Sequence, residues 1–579
     1  MTLLRRRSGQ GSAIWLAAPG LLFLAVFFLA PVVNLLFLSL QDPATHGLSA
    51  SAYERLLAQS VYLRVLGNTF VLAFQVSLAA VLLGYPVAYW LAMMPQARRN
   101  RLLVFVLLPF WTSALIKTFA WIVLLARTGV VVGALRATGL ISAPVELLYG
   151  RGAVVLGMTH ALVPLAVLTM LPVMAQIDRH LQRAAQTLGA SGIQTFWRVF
   201  FHMSLPGLAA AGLLVFVSAL GFFITPSLIG SPRDTTLAPL IIAQIESMLT
   251  WNFAAALAML LVLSTLAVCA VYNAVFGLST VAGGAAKPGR HSLGIIGVRC
   301  LGALANGCEG VAWAAGRLTG NHSFRWLLPA IAWAVVAFLG LPTLAIVPMA
   351  FTSGRFLSFP PPGYSLHWMA AYLGSPVWME ATLRSFGLAF ATGLLASALA
   401  GFAAYAVVSS RTRWSGLVFA LFLAPMIVPS IVTALALFYL LGKLSLAGTD
   451  AGLLIGHTVL AMPLVFVTQL AIFRTYDWRL DQAAATLGAN RARSLRRVTL
   501  PLIKGGLAAS FLLAFIASFE ELTVAIFVGG GLRTTLPKQL WDDMLQQVNP
   551  TAAAASVFVL AVVAVMFLAA QRLRLAQPR

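Results

Sequence analysis

The sequence contains few charged residues, and acidic residues are the scarcest of them. Charged side chains make up 9% of the 579 residues, and Asp and Glu together number 15. Soluble domains carry about 25% charged residues, so this composition argues against a water-soluble enzyme. No long polar segment could form a separate soluble domain, and no cluster of His, Asp and Glu has catalytic or metal-binding spacing. We therefore expect neither a catalytic centre nor a bound metal.

Cysteines and phosphate-binding motifs are also scarce. The three cysteines, Cys269, Cys300 and Cys308, match no zinc or iron–sulfur spacing and imply no disulfide framework. The chain has no Gly-x-x-x-x-Gly-Lys-Ser/Thr loop, the motif whose backbone N–H groups and lysine hold nucleotide phosphates. It therefore cannot bind ATP by that device, and we expect no cofactor on this chain.

Apolar residues fill most of the chain. They make up 60% of it, and the mean hydropathy is +0.92. Crossing about 30 Å of hydrocarbon requires a helix or a closed barrel, and continuous apolar runs lack the alternation of a barrel strand. The sequence predicts an all-α membrane protein with about twelve spans. These are expected at 13–40, 67–94, 102–126, 153–175, 204–230, 252–278, 326–352, 381–408, 415–441, 452–473, 502–529 and 553–571.

The basic residues predict the orientation of these spans. The net charge is +23, but Lys and Arg occur in short clusters between apolar runs, which is not the pattern of a nucleic-acid-binding face. Every second loop is basic, which is typical of the cytoplasmic side. This pattern predicts that both termini are cytoplasmic. The basic clusters lie at 5–7, 98–101, 179–198, 287–317, 411–413, 479–497 and 572–574.

One stretch occurs twice, at 178–191 and 477–490. The copies share Asp, Leu, Ala-Ala and Leu-Gly-Ala in one register, at an offset of 299 residues. A repeat of this length indicates two homologous halves of six helices each. The predicted divisions are a cytoplasmic N-terminus at 1–12, a first half at 13–278, a cytoplasmic linker at 279–324, a second half at 325–575 and a tail at 576–579.

Both copies predict the same local structure. Asp178 and Asp477 are good helix N-caps, because their carboxylates accept hydrogen bonds from the free N–H groups of a first helical turn. Leu and Ala residues follow at helical spacing, and Gly189 and Gly488 stand where a left-handed residue ends a helix. Each copy is therefore predicted to be a helix, a sharp glycine turn and a second helix.

The paired stretch resembles the cytoplasmic EAA loop of permease subunits from binding-protein-dependent ABC importers. The family pattern is Glu-Ala-Ala, then Gly four residues later, then Leu-Pro about a dozen residues further on. Both copies lack the leading Glu, and only the second has Leu-Pro at that spacing, as Leu500-Pro501. The positions that carry the resemblance, and that it implies contact the ATPases, are Arg183, Ala184, Ala185 and Gly189, with Gln482, Ala483, Ala484 and Gly488.

Within that family the chain looks like the spermidine/putrescine branch. Segments 108–121 and 216–229 resemble one of its two permeases, and segments 425–429 and 518–523 resemble the other. The resemblance implies the type I importer fold in a bacterial inner membrane. It also implies two cytoplasmic ABC ATPase subunits, which bind ATP and Mg, and a periplasmic solute-binding protein. Lipid and a small solute are the other expected partners.

Six residues are candidates for contact with that solute. Glu520 and Glu521 are adjacent acids inside the predicted eleventh span, where charged groups are costly and usually functional. A cationic solute would relieve the repulsion between two close carboxylates. Lys117 could pair with a carboxylate, bind an anion or extend to the membrane surface. The candidates for cation–π contacts, as alternatives to plain packing, are Trp111, Trp121 and Phe222.

The predicted function is import of a polyamine or another small organic amine. The polyamine-type permease usually has an acid near the position of Phe222, so this aromatic residue favours a smaller or less charged amine. An iron(III), thiamine or aminoalkylphosphonate permease is an alternative within the family. A proton-driven secondary carrier can also have two six-span halves, but it needs no ATPase partner.

Overall fold

A computed structural model of the chain describes residues 12–42, 45, 47–127, 129–142, 146–276, 306–307, 326–410, 414–531, 533–546 and 549–575. The first half contains α1 (Ile14–Ser39), α2 (Ser51–Ala58), α3 (Ser60–Ala92), α4 (Gln96–Leu102), α5 (Val104–Trp111), α6 (Ala114–Leu125), α7 (Val130–Ala137), α8 (Arg151–Ala175), α9 (Arg179–Thr187), α10 (Gly192–Leu220), α11 (Ile224–Ile229), α12 (Leu237–Glu246) and α13 (Trp251–Phe276). The second half contains α14 (Leu327–Ala350), α15 (His367–Gly374), α16 (Pro376–Ser409), α17 (Ser415–Ile427), α18 (Ser430–Lys443), α19 (Asp450–Thr475), α20 (Arg479–Thr486), α21 (Ala492–Phe519), α22 (Thr523–Val528), α23 (Leu536–Gln546) and α24 (Pro550–Leu575).

The predicted all-α membrane fold is confirmed. Among the described residues, ten helical segments are long and apolar enough to cross a membrane, and the bent pair α17–α18 makes an eleventh if counted as one span. Helix α24 lies at the predicted twelfth span, although its apolar part (Pro550–Met566) is shorter. All of the predicted tail, and almost all of the predicted N-terminus and linker, lie outside the described residues. The boundaries of those segments therefore stay predictions.

Three spans form the packed core of each half. These are α3, α8 and α10 in the first half, and α16, α19 and α21 in the second. Small residues allow the helices to approach closely, as is common where helices pack within lipid. Gly207 of α10 abuts Val173 of α8, and Gly506 of α21 abuts Ile472 of α19 at the same offset of 299 residues. The two halves therefore share individual side-chain contacts as well as a sequence pattern.

The first span of each half packs against the opposite half. Helix α1 lies along α16 and α18, and α14 lies along α3, α5 and α6. On α14, Trp333 contacts Trp90 and Phe105 with ring centroids 5.8 and 5.6 Å apart. His160 of α8 has its Nε2 atom 3.1 Å from the carbonyl oxygen of Leu339 on α14. These exchanged helices hold the two halves together.

The third span of each half is broken, which corrects the prediction of continuous helices at 102–126 and 415–441. In the first half the break lies at Thr112 and Ser113, between α5 and α6. In the second half it lies at Val428 and Pro429, where α17 and α18 bend by 98°. A proline disfavours the helical conformation for the residue before it, and Val428 is accordingly extended.

The fifth span is broken as well, which corrects the predicted continuous helices at 204–230 and 502–529. Helix α10 ends at Leu220 and α21 ends at Phe519, and α11 and α22 each begin four residues later. The two breaks lie at the same offset of 299 residues, but their sequences differ. The first half has Gly-Phe-Phe at its break, and the second half has Glu-Glu-Leu. Hydropathy alone cannot reveal such a break, because the residues on both sides are apolar.

Glycines at matching positions of the fourth spans make room for the short helices after these breaks. A Cβ atom on Gly157 would lie 2.8 Å from Thr225 Cγ2, and one on Gly456 would lie 2.5 Å from Val524 Cγ1. Both neighbours are β-branched residues with a stiff first torsion angle, so neither rotates away easily. The short helices α11 and α22 are therefore packed tightly against α8 and α19.

We expect Gly456→Ala to lower the free energy of unfolding by about 1–3 kcal/mol, because the added methyl group overpacks this contact. Gly387→Ala on α16 is the matched control, since its Cβ would meet no atom within 4 Å. The control should be neutral or stabilising by about 0.5–1 kcal/mol, the usual gain from removing a helical glycine. Thermal unfolding of the purified protein in detergent measures both. Equal melting temperatures for the two variants would contradict the close contact.

Candidate functional site

The fifth-span break of the second half places two carboxylates inside the membrane region. Glu520 and Glu521 lie between α21 and α22, so they are not part of one continuous helix as the sequence suggested. The broken backbone leaves N–H groups at the start of α22 without helical partners. The two carboxylates therefore lie in different environments, since one is close to these N–H groups and the other is not.

Glu521 is bound to the start of α22. Its Oε2 atom accepts hydrogen bonds from the backbone N–H groups of Val524 at 2.9 Å and Ala525 at 3.3 Å. A carboxylate at a helix N-terminus is stabilised by these bonds and by the helix dipole. His457 of α19 has its Nε2 atom 3.7 Å from the same oxygen, while its Nδ1 atom lies 2.7 Å from Ser518 Oγ. Glu521 therefore has a structural role within the second half.

Glu520 has no comparable partner. Its Oε1 atom is buried and makes no hydrogen bond within the described part of the chain. Lys117 on α6 of the first half is also buried, but among the described residues it forms no ion pair with Glu520, and it is not one of the residues around the cavity beside that carboxylate. An unsatisfied buried carboxylate oxygen is costly, so this atom is the strongest candidate for contact with a solute.

A cavity of about 420 Å³ lies beside Glu520, between the two halves. Its volume falls within the usual range of small-molecule sites. The first half contributes residues around its own fifth-span break, and the second half contributes both of its breaks together with α19. The lining residues are Val217, Ser218, Gly221, Phe222, Phe223, Ile224, Pro425, Met426, Val428, Pro429, Ser430, His457, Leu460, Ala461, Ala517, Glu520, Glu521, Leu522 and Thr523.

The cavity is acidic on one side and apolar on the other. Gly221 matches Glu520 in the repeat, and Phe222 matches Glu521. A Cβ atom on Gly221 would lie 2.9 Å from Cβ of Pro429 in the opposite half, so this packing leaves no room for a second carboxylate there. The site can therefore offer carboxylates from the second half and the aromatic ring of Phe222 from the first.

The predicted aromatic candidates lie in different places in the structure. Phe222 lines the cavity. Trp121 is absent from its lining and instead packs with His160 and Phe338, at ring-centroid distances of 5.6 and 5.8 Å. Trp111 ends α5, and its side chain lies outside the described part of the structure. Of the predicted aromatic candidates whose side chains the structure describes, Phe222 thus lines the cavity and Trp121 does not.

Sequence reasoning missed three residues of this region. His457 and Ser518 form the polar chain that leads to Glu521, and Pro429 seals the cavity against the first half. His457 could have been identified, because an ionisable side chain in an apolar span is a functional candidate by default. The other two carry no such signal, since serine and proline are common in membrane helices.

The paired loops form a second candidate site at the opposite end of the fifth spans. The predicted helix, glycine turn and second helix occur in both copies. Asp178 is the N-cap of α9, as predicted, and accepts a hydrogen bond of 2.9 Å from the N–H group of His180. Asp477 accepts one of 3.0 Å from the N–H group of Arg479, but the prediction that it is the N-cap is wrong, because α20 begins one residue later, with Trp478 at that position. Gly189 and Gly488 have φ angles of +89° and +85°, the left-handed conformation that ends a helix. The second helix of each loop is the beginning of α10 or α21.

Both loops expose matching sequence positions. Leu188 is 88% exposed and Leu487 is 89% exposed, at matching positions immediately before the glycine turn. The candidate residues also match in exposure from copy to copy. Arg183, Ala184 and Gly189 are exposed, as are Gln482, Ala483 and Gly488, while Ala185 and Ala484 are half-buried. Two equal apolar protrusions on one end of the protein are typical of docking surfaces.

Each loop is fixed to its own half by different bonds. Arg179 Nη2 donates a hydrogen bond of 3.0 Å to the carbonyl oxygen of Ala92 at the end of α3. In the second loop, Asp481 accepts hydrogen bonds from Ser494 and, at 2.9 Å, from Thr499. The anchoring therefore differs between the halves while the exposed surface is the same.

Comparison with known protein families finds two copies of one domain in the chain. The model for the binding-protein-dependent transport system inner membrane component matches residues 80–278 and 393–575. The spermidine/putrescine transport system permease protein PotB of Escherichia coli (strain K12) is 33% identical over 204 residues, which are 35% of this chain and 74% of PotB. PotC of the same strain is 27% identical over 238 residues, which are 41% of this chain and 90% of PotC.

A solved structure is similar over half of the chain. It is a bacterial ABC transporter that imports the acidic polysaccharide alginate, with 19% sequence identity, a TM-score of 0.40 and coverage of 47% of this chain and 98% of that one. The family predicted from the paired loops is confirmed by the two family matches. The chain therefore belongs to the inner-membrane components of binding-protein-dependent transport systems and carries two copies of that domain as fused halves.

Proposed function

We propose that this permease imports a small organic amine, with a polyamine such as putrescine as the leading candidate. The observation that carries the proposal is Glu520, whose Oε1 atom is buried without a partner beside the cavity between the halves. An ammonium group would satisfy that oxygen with a charge-assisted hydrogen bond. The similarity to two spermidine/putrescine permeases supports the same class of solute.

The lining of the cavity supports a small solute with a charged end and an apolar chain. Acidic groups lie on the side of the second half, and Phe222 lies on the side of the first. Alkyl amines combine a charged end with an apolar chain, so they match both sides. The face of Phe222 can also attract a cation, although more weakly than a carboxylate does.

The paired loops are proposed as docking sites for two ABC ATPase subunits, one on each loop. The equal exposure of Leu188 and Leu487 supports this, since two identical motors require two equivalent surfaces. Helices α10 and α21 run from the loops to the fifth-span breaks over 29 and 28 residues, or about 40 Å. A displacement of either loop would therefore reach the cavity through a single continuous helix.

The proposed orientation has both termini and both loops in the cytoplasm. The alternation of basic loops along the sequence supports it. The opposite end of the protein, which includes α12 and α23, would then face the periplasm and receive the solute-binding protein. ATP and Mg would be bound by the ATPase subunits alone.

Replacement of Glu520 tests the proposed solute. We expect Glu520→Gln to lower putrescine uptake at least ten-fold, because an amide cannot neutralise an ammonium group. Uptake of labelled putrescine is measured in cells that express the permease with its own ATPase and binding protein. Glu521→Gln should retain more uptake, since its amide oxygen can still accept from the N–H groups of α22.

Glu380→Gln is the matched control for this experiment. Glu380 is exposed and pairs with Arg384 in the same helix at 2.6 Å, and exposed pairs contribute little. Wild-type uptake by Glu520→Gln would refute the role of that carboxylate. Uptake of iron(III), thiamine or an aminoalkylphosphonate but of no amine would identify a different permease, and uptake without ATP hydrolysis would identify a secondary carrier.

Replacement of Gly488 tests the docking role of the loops. We expect Gly488→Leu to abolish uptake while ATP hydrolysis continues, because its φ of +85° strains any larger residue and the turn would shift. Gly139→Leu is the matched control, with a φ of +73° and, like Gly488, no atom within 4 Å of an added Cβ. Both variants carry similar strain, but Gly139 is remote from the loops. Equal uptake by the two variants would contradict the docking role.

A further inference from the structure

Two polar atoms of the cavity lining are buried without a hydrogen-bond partner in the described structure. One is Glu520 Oε1, and the other is the Nε2 atom of His457 on α19. The side chain of His457 is 1% exposed. A buried polar atom without a partner is costly, and such atoms are rare in native proteins. The proposed function gives Glu520 a partner but leaves His457 without one.

A chain of hydrogen bonds determines which ring nitrogen of His457 carries the proton. The hydroxyl group of Ser518 donates to Thr392 Oγ1 on α16 at 3.2 Å, so its oxygen remains free to accept. His457 Nδ1 lies 2.7 Å from that oxygen and is therefore the donor. In a neutral imidazole with the proton on Nδ1, the Nε2 atom carries a lone pair and can only accept.

The distance to Glu521 supports the same assignment. His457 Nε2 lies 3.7 Å from Glu521 Oε2, whereas a charge-assisted N–H···O bond would bring the two atoms to about 2.7–2.9 Å. Glu521 Oε2 already accepts from the N–H groups of Val524 and Ala525. The lining therefore contains two neighbouring acceptors, one of them charged, and neither can donate to the other.

The histidine belongs to the half that carries the acids. At the offset of 299 residues, His457 corresponds to Met158 of α8, which is fully buried. The preceding residues, Gly157 and Gly456, make the same kind of close contact in both halves, so this backbone arrangement does not require a histidine. A thioether is only a weak acceptor. Histidine at this position therefore adds a strong acceptor to the acidic side of the cavity.

We infer that His457 is a specificity-determining residue, whose Nε2 atom accepts a hydrogen bond from an N–H group of the bound amine. This inference rests on the proposed function and names the class of amine. A primary or secondary ammonium group can donate to Nε2, while its charge is attracted by Glu521 nearby. A fully methylated ammonium group carries the same charge but has no N–H group, so it leaves Nε2 without a partner. The site therefore favours amines with N–H groups over quaternary ammonium compounds.

Replacement of His457 by the residue of the first half tests this role. The full-length chain is purified into lipid nanodiscs, and putrescine binding is measured by calorimetry. We expect His457→Met to weaken putrescine binding about ten-fold, because the lost hydrogen bond has a charged donor. His457→Gln should stay within about three-fold of wild type, since its amide oxygen can accept the same bond. His457→Phe replaces His457→Met if the latter fails to insert.

His160→Met is the matched control for this substitution. His160 is also a fully buried histidine of a fourth span, but it is not one of the residues around the cavity. Its Nε2 atom lies 3.1 Å from the carbonyl oxygen of Leu339 on α14. The control loses that contact between the halves, and it should bind putrescine with the affinity of wild type.

A methylated analogue separates hydrogen bonding from packing. The hexamethylated analogue of putrescine is quaternary at both ends, so its binding should be equal in wild type and His457→Met. The ratio of the two dissociation constants should therefore fall about ten-fold in the variant. Equal losses for both ligands would show that the histidine only packs, and would overturn the inference. If the analogue binds neither protein, the difference between His457→Met and His457→Gln decides, and equal affinities overturn the inference.

The proposed function and the role of His457 can fail separately. Putrescine affinity like that of wild type in His457→Met, with uptake still lost in Glu520→Gln, would overturn the role of His457 alone. A wild-type permease that takes up no amine would overturn the proposed function and the role of His457 together.

Discussion

The structure depends on one constraint, which is that a helix broken inside a lipid bilayer must have its free backbone groups covered by protein. Hydrocarbon offers no hydrogen bonds, so exposed breaks are not tolerated there. The third and fifth spans of both halves are broken, and the second half's breaks and the first half's fifth-span break meet around one cavity. The exchanged first spans and the tightly packed glycines of α8 and α19 enclose this region. The fifth-span break of the second half thus brings two carboxylates to the cavity, of which Glu521 satisfies the broken backbone and Glu520 does not.

The two halves have the same backbone arrangement at the fifth-span breaks but carry different side chains there. The fifth-span breaks coincide in register, yet one contains Glu520 and Glu521 and the other contains Gly221 and Phe222. Glu521 completes the start of α22, which leaves Glu520 available to the cavity. A fused chain permits this asymmetry, because each half can change without altering the other. The paired loops, by contrast, keep equal exposure of Leu188 and Leu487, which the proposed docking of two identical ATPase subunits requires.

Helices α10 and α21 connect these two sites. Each begins in an exposed loop and ends at a fifth-span break, so one continuous helix joins loop and cavity in each half, with a π-helical segment at Phe196–Phe201 or Leu495–Thr499. The proposed docking of ATPase subunits on the loops would therefore act on the cavity through these two helices.

The sequence by itself determined the membrane fold, the two halves, the paired loops and the family. These features are local or periodic: apolar runs, basic loops, N-cap aspartates and glycines with a left-handed conformation are each specified by neighbouring residues. It also identified Glu520, because an acid in an apolar span is conspicuous. Only the tertiary structure decided that the acids lie in a break and not in a helix, that Glu521 is bound and Glu520 is not, and that Phe222 of the first half and Glu520 of the second line one cavity. Those relations join residues hundreds of positions apart across an interface, where side-chain packing sets the distances and no periodic pattern records them.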